Sequence, residues 1–238
     1  MLADDGIVQV QSGYLSKNIH LASASLLSLI DFIADELPRW RDRPERKHET
    51  AETALTSQFC AHMNSASRLS SWDFLQFRTE EPDELAAGRK IDLVPAPCGC
   101  VVWIDGRRHF DLDPLMPIEC KRLPTPIGAK RDRLEYLYSR YSSTGGVDRF
   151  KAGRHGALHT LGAMVGFIQD GSIAPWEKKI ARWTNALARA RVSGWAHADR
   201  ITIHKHDAAQ RLAVLHSLHS RSGSLSDIQL RHLWIEMN

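Results

Sequence analysis

The stretch Leu115-Met116-Pro117-Ile118-Glu119-Cys120-Lys121 decides the reading of this chain. An apolar approach runs into a carboxylate and an ammonium two residues apart, the pattern of a buried strand that ends on charge. Side chains alternate along a strand, so Glu119 and Lys121 share one face and Cys120 takes the other. The three-letter pattern is not selective by itself. Glu45-Arg46-Lys47 repeats it inside a charged polar run and reads as solvated surface.

The surrounding sequence gives the pattern weight. Asp92 lies 27 residues upstream in Lys90-Ile91-Asp92-Leu93-Val94, where Ile91, Leu93 and Val94 read as buried strand residues. A buried carboxylate in such a strand needs an ion partner, a hydrogen bond or a metal. A helix is predicted from Glu49 to Met63, with Leu55, Phe59 and Met63 as its core stripe. At about 100° per residue, Glu52 falls within ~20° of that stripe's mean direction, while Glu49 lies off it as a solvent-facing first-turn acid. Three carboxylates and one ammonium are thus expected to face inward. Two carboxylates from neighbouring strands suit a hard cation such as magnesium, which takes one or two carboxylates together with waters and phosphate oxygens.

Outward from this centre, an amphipathic helix is predicted over 18–40, with Leu26, Ile30, Ile33 and Leu37 at helical spacing and with Pro38 and the polar stretch Arg41–Lys47 ending it. Short strands are predicted at Trp72–Phe77, Lys90–Val94, Cys100–Ile104 and Met116–Lys121, separated by turn signals that include Glu81-Pro82-Asp83 and the hairpin pair Asp105-Gly106. Beyond Lys121, a helix is expected over Arg131–Tyr141 and a flexible turn over Ser142–Gly146. A buried run follows at Ala163–Ile168, an amphipathic helix at Trp176–Val192, and late strands at Ile201–His204 and Leu230–Met237. Helices and strands mix throughout, which gives an α/β or α+β class.

The chain has 238 residues, 43% hydrophobic and 25% charged, and holds no apolar run of membrane-spanning length. With no signal-peptide pattern at the start, a cytoplasmic protein is expected. Its four cysteines, with Cys98-Gly99-Cys100 as an isolated pair, read as reduced thiols rather than a zinc site. Residues 121–238 carry 19 Lys/Arg against 9 Asp/Glu, and residues 1–120 carry 12 against 19. A basic half suits a polyanion, and segregated surface charge would look the same. Tyr136, Tyr138 and Tyr141 fit base stacking or the core, and Gln169 reads as a turn-forming amide. His204-Lys205-His206 reads as solvated edge residues, and the glycines at 153, 156 and 162 argue against a helix carrying His155 and His159.

The order helix Glu, strand Asp, strand Glu-x-Lys resembles the PD-(D/E)xK nuclease superfamily, the restriction-endonuclease-like fold, on Glu52, Asp92, Glu119 and Lys121. The resemblance spans about residues 48–123, with Ile91 standing where the family name has Pro. It implies an α/β domain over 47–238 with a mixed central sheet flanked by helices, preceded by a helical extension over 1–46. It also implies magnesium-dependent phosphodiester hydrolysis, with manganese as a substitute and DNA as the expected substrate. Asp92, Glu119, Glu52 and the Cys120 carbonyl would be the metal ligands, and Lys121 would orient the attacking water and steady the phosphorane charge. Arg122, Lys130, Arg131, Arg133, Arg149 and Lys151, which follow the motif, would track phosphates or form a solvated face. Residues 146–170 resemble uncharacterised prokaryotic members of the superfamily. That implies restriction or anti-phage defence with partner proteins, and a homodimer would let two copies cut both strands. The rival expectation is a non-catalytic binding or structural module that keeps the fold within a larger complex.

Overall fold

A computed structural model describes residues 18–21, 24–104, 106–128, 131–141, 145–192, 194–221 and 223–238; of 18–21, 24, 25, 86 and 87 it describes the backbone alone. Ten strands and four helices follow in the order β1 (Asn18–Leu21), α1 (Ala24–Arg41), α2 (Glu52–Arg68), β2 (Leu75–Asp83), β3 (Ala86–Pro97), β4 (Val101–Ile104), β5 (Arg107–His109), β6 (Ile118–Leu123), α3 (Gly146–Lys151), β7 (Leu161–Ile168), α4 (Ile173–Arg189), β8 (Thr202–Asp207), β9 (Leu212–His219) and β10 (Ile228–Glu236). The class is α/β. Among the described residues, no helix is long and apolar enough to cross a membrane.

Seven strands form the main sheet in the order β2-β3-β6-β7-β10-β9-β8. Its centre, β6-β7-β10, is parallel, and both flanks are antiparallel. Parallel strands are buried on both faces and read as continuous apolar runs. β7, Leu-Gly-Ala-Met-Val-Gly-Phe-Ile, follows that rule and is buried at every position after its first. Its alternation feeds two cores. Ala163, Val165 and Phe167 pack with α1 and α2 on one face, and Met164 and Ile168 pack with α4 on the other. A smaller sheet, β1-β4-β5, pairs β1 parallel to β4 and β4 antiparallel to β5, with Gly106 at positive φ in the β4–β5 turn. Asp105 of the expected hairpin signal lies outside the described residues.

Several local expectations need correction. The helix expected over 18–40 begins only at Ala24, because Asn18–Leu21 pairs with β4 as strand β1, and it runs through Pro38 to end at Arg41, close to the expected boundary. Proline costs the helix an internal hydrogen bond. The cost is outweighed because Leu37 and Trp40 are buried, Trp40 packs on Phe59 and Phe167, and Arg41 donates to the carbonyl oxygens of Gln210 (2.8 Å) and Glu236 (3.3 Å). α1 therefore shares its core with α2. Glu81-Pro82-Asp83 is strand rather than turn, because Glu81 and Pro82 pair with Ile91 and Lys90 across an edge strand that tolerates proline. Arg131–Tyr141 folds as successive turns, not a helix. Asp132 ties it locally, accepting from the backbone N–H groups of Leu134 (3.0 Å) and Arg140 (3.3 Å). Residues 142–144 of the expected flexible turn lie outside the described residues, and Gly146 opens α3. Strand β9, outside every expected element, supplies four buried residues in its first half.

Candidate active site

The β3–β6 pairing centres on Leu93 opposite Ile118, and the site begins where that ladder ends. The carbonyls of Pro117 and Leu123 serve β7, accepting from Ala163 N–H (3.0 Å) and Gln169 N–H (2.7 Å). The polar groups of Cys120 and Arg122 thus face the β3 side. Carboxylates meet them there: Asp92 Oδ2 accepts from Cys120 N–H (2.8 Å), and Glu52 Oε2 accepts from Arg122 N–H (3.1 Å). Asp92 comes from β3 and Glu52 from the first turn of α2. Two strand-edge donors that would otherwise be orphaned are satisfied by the two acids, which fixes both side chains.

The Lys121 ammonium stands at the centre. Its Nζ lies 2.8 Å from Glu119 Oε1, 3.1 Å from Glu52 Oε1 and 3.5 Å from Asp92 Oδ2, and it donates to the Cys120 carbonyl at 2.8 Å. The four oxygen sources expected from sequence to bind a cation thus surround one cationic atom. Glu119 is fully buried; Arg149 Nη1 shares its Oε1 with Lys121 at 2.5 Å, and His155 Nδ1 closes its other oxygen, Oε2, at 3.0 Å. Asp92 and Glu52 reach solvent, their side chains being 27% and 20% exposed.

Burial and the Glu119 charge push the Asp92 carboxyl up to about 6. Burial pushes Glu119 the same way, but Lys121, His155 and Arg149 outweigh it and hold it down at about 2. Burial alone would pull the Lys121 ammonium down; Glu119, Asp92 and Glu52 reverse this and keep it protonated well above the ordinary lysine range. Glu119 and Lys121 therefore form a fixed ion pair, and Asp92 is the carboxyl whose charge is least settled.

Two of these partners come from α3 and the loop after it. Gly146 lets α3 approach closely, since a Cβ there would meet Met164 Cε at 2.5 Å and Lys121 Cγ at 3.5 Å. Gly153 and Gly156, both at positive φ, bracket His155 and turn it back onto Glu119. The glycines that speak against a helix at His155 are the signal that could have found this residue.

The expected nucleic-acid contacts disperse. Arg149 serves Glu119, and Arg122 donates to the Thr50 carbonyl at 2.7 Å. Lys151 is not a surface contact: it is buried against Asp199, because α3 turns that position toward the second core. Arg131 and Arg133 are exposed, and Lys130 lies outside the described residues. Gln169 donates to the Thr50 carbonyl at 2.9 Å, Tyr136 is buried in the second core, and His204 and His206 sit on the exposed edge strand β8. All four cysteines are free thiols.

Whether this centre fits a divalent ion depends on its donors. Carboxylate and carbonyl oxygens are the hard ligands magnesium takes. Among the described residues, no three His, Cys, Asp or Glu side chains are grouped to hold an ion, because the Lys121 ammonium spaces the acids and Glu119 is engaged at both oxygens. The accessible donors are Asp92 and Glu52, a number that suffices for an ion that keeps most of its waters. Compared with family models, curated proteins and solved structures, the chain matches none of them.

Proposed function

We propose that this chain is a metal-dependent phosphodiester hydrolase, a nuclease with a restriction-endonuclease-like core and DNA as its expected substrate. The observation that carries the reading is the meeting of Glu52, Asp92, Glu119 and the Cys120 carbonyl within 3.5 Å of the Lys121 ammonium. The mixed sheet between two helical layers, with the acids on α2, β3 and β6 in chain order, supports it further.

Asp92 and Glu52 would hold magnesium through their exposed edges. The ion would supply a nucleophilic water and charge stabilisation at the phosphorus. Lys121 places a fixed positive charge beside that position, suited to steadying charge that develops on phosphate oxygens. Glu119 acts through Lys121: it is buried, pinned by Arg149 and His155, and it sets where the ammonium stands. Asp92 must be ionised to bind a cation, so its raised proton affinity predicts activity that falls as the pH drops toward about 6.

One observation favours a second reading. Glu119 is saturated by three basic partners, the arrangement of a structural ion cluster in a module that binds without turnover. Cleavage of supercoiled plasmid and single-stranded DNA by wild type and Lys121→Ala, with magnesium, manganese or EDTA, separates the two. Metal-dependent cutting lost in the variant is the expected result. Intact substrates under every metal condition would overturn the nuclease reading.

A further inference from the structure

Asp92 forms the ridge between two hollows of opposite character. One, about 220 Å³, is lined by Glu52, Thr53, Thr56, Ser57, Thr79 and Glu80, which are acids and hydroxyls. The other, about 400 Å³, is lined by Gly88, Arg89, Lys90, Arg149, Arg154 and His155, with Asp92 as its one acid. We infer that this second cleft is the docking site for the phosphate groups of a nucleic-acid strand, with Arg89, Lys90 and Arg154 as its direct contacts. The identity of the anion rests on the nuclease reading; the location rests on the cleft.

These cations differ in how firmly they are engaged. Arg149 is spent on Glu119. Arg89 makes no ion pair among the described residues and is exposed. Lys90 pairs with Glu80 at 2.7 Å, but both side chains are more than half exposed, and such pairs contribute little. Arg154 reaches Asp148 only at 3.6 Å. Three cations held this loosely, around a cleft bordered by a carboxylate of the proposed centre, are available to an anion that reaches that centre. Guanidinium groups match phosphate oxygens in a two-pronged geometry. The basic residues that follow Lys121 most directly do not share this position. Arg131, Arg133 and Arg140 line hollows on the α4 side that include none of Glu52, Asp92, Glu119 or Lys121. Phosphate contacts set the register of a strand without reading its sequence, so this cleft would fix which phosphate reaches Asp92.

The test measures binding without cleavage. Fluorescence anisotropy of labelled single-stranded and duplex oligonucleotides, in EDTA and in calcium, compares wild type, Arg89→Ala/Arg154→Ala and Arg131→Ala/Arg133→Ala across a salt series. All four substituted positions lie at the surface or half-buried, and thermal melts check that both variants fold. The cleft variant is expected to bind at least about 10-fold more weakly, with a salt slope shallower by about 2, one unit per lost phosphate contact. The α4-side variant is expected to stay within about 3-fold of wild type. Unchanged binding by the cleft variant, or an equal loss in both variants, would overturn the inference, as would wild type that binds no nucleic acid. Displacement of the oligonucleotide by an equal phosphate concentration of inorganic phosphate would assign the cleft to a free anion and likewise overturn it. A protein that binds through this cleft but never cuts would sink the nuclease reading and leave the inference standing; one that cuts but is indifferent to Arg89 and Arg154 would do the reverse.

Discussion

Two of the polar clusters that reach into the interior of this molecule are held together by opposite means. Around Lys121 ion pairs dominate: three carboxyl groups, one ammonium and one guanidinium meet, with His155 against Glu119. On the other side of α3, Asp199 begins a chain of largely neutral groups. His219 Nδ1 lies 2.7 Å from Asp199 Oδ1, His219 Nε2 2.7 Å from Ser217 Oγ, and Ser217 Oγ 2.8 Å from His232 Nε2. His232 Nδ1 lies 2.9 Å from the Tyr136 hydroxyl, which accepts from Trp234 Nε1 at 2.7 Å. The partners assign the hydrogens. Trp234 can only donate, so Tyr136 donates to His232 Nδ1, His232 Nε2–H to Ser217, Ser217 to His219 Nε2, and His219 Nδ1–H to Asp199. Burial holds both histidines below their ordinary range, which keeps them neutral and the direction fixed.

Saturation of its hydrogen bonds separates a structural staple from a site. Ser217, His219 and Asp199 are the residue types of a nucleophilic triad, yet Ser217 is 2% exposed and its hydroxyl is spoken for on both sides. That chain satisfies itself and offers nothing to a ligand. The Lys121 cluster instead keeps two carboxylates at the surface, one of them with a strongly raised proton affinity. Perturbed acids at the edge of a cleft mark function more often than saturated networks do. α3 ties the two together, sending Arg149 to one and buried Lys151 to the other.

The sharpest way to break the contrast is Glu119→Ala. It leaves Lys121 and Arg149 without their buried partner, and about 3–5 kcal/mol of stability should disappear in urea unfolding. A loss under about 1 kcal/mol would mean the charged cluster is no tighter than a surface network. Asp92→Asn should do the opposite. Its carboxyl is raised from 3.8 to about 6 in the folded protein, so the native state binds protons more tightly than the unfolded chain. Wild type therefore loses stability as pH rises through about 4 to 6, and above that window the full cost remains. The amide removes it, giving on the order of 3 kcal/mol at pH 7, with the gain vanishing near pH 4 and the proposed nuclease activity lost. Equal melting curves for wild type and variant at both pH values would contradict this. Ser217→Ala is the smallest change. It unpairs two buried histidine nitrogens and should cost about 1–2 kcal/mol with metal-dependent cleavage unaltered; a cleavage defect at full folding would show that α3 couples the clusters.

Local periodicity made much of this protein legible. The 3.6-residue stripe of α2 aimed Glu52 inward, alternation put Glu119 and Lys121 on one face, and α4 and β7 were plain from their apolar patterns, because these follow from backbone geometry within a few residues. Charge was less legible. Arg149 and Lys151 look alike in sequence, and only the packing of α3 sends one to Glu119 and the other to Asp199. His155 reaches Glu119 across 36 positions through a turn shaped by Gly153 and Gly156. Arg131–Tyr141 has a helical pattern that Asp132 side-chain bonds override. Spacing within single helices and strands settled which way Glu52, Glu119 and Lys121 turn and in what chain order they come. The tertiary structure alone decided which of them meet, because ion pairs distant in sequence depend on how strands diverge and loops close, not on any local spacing.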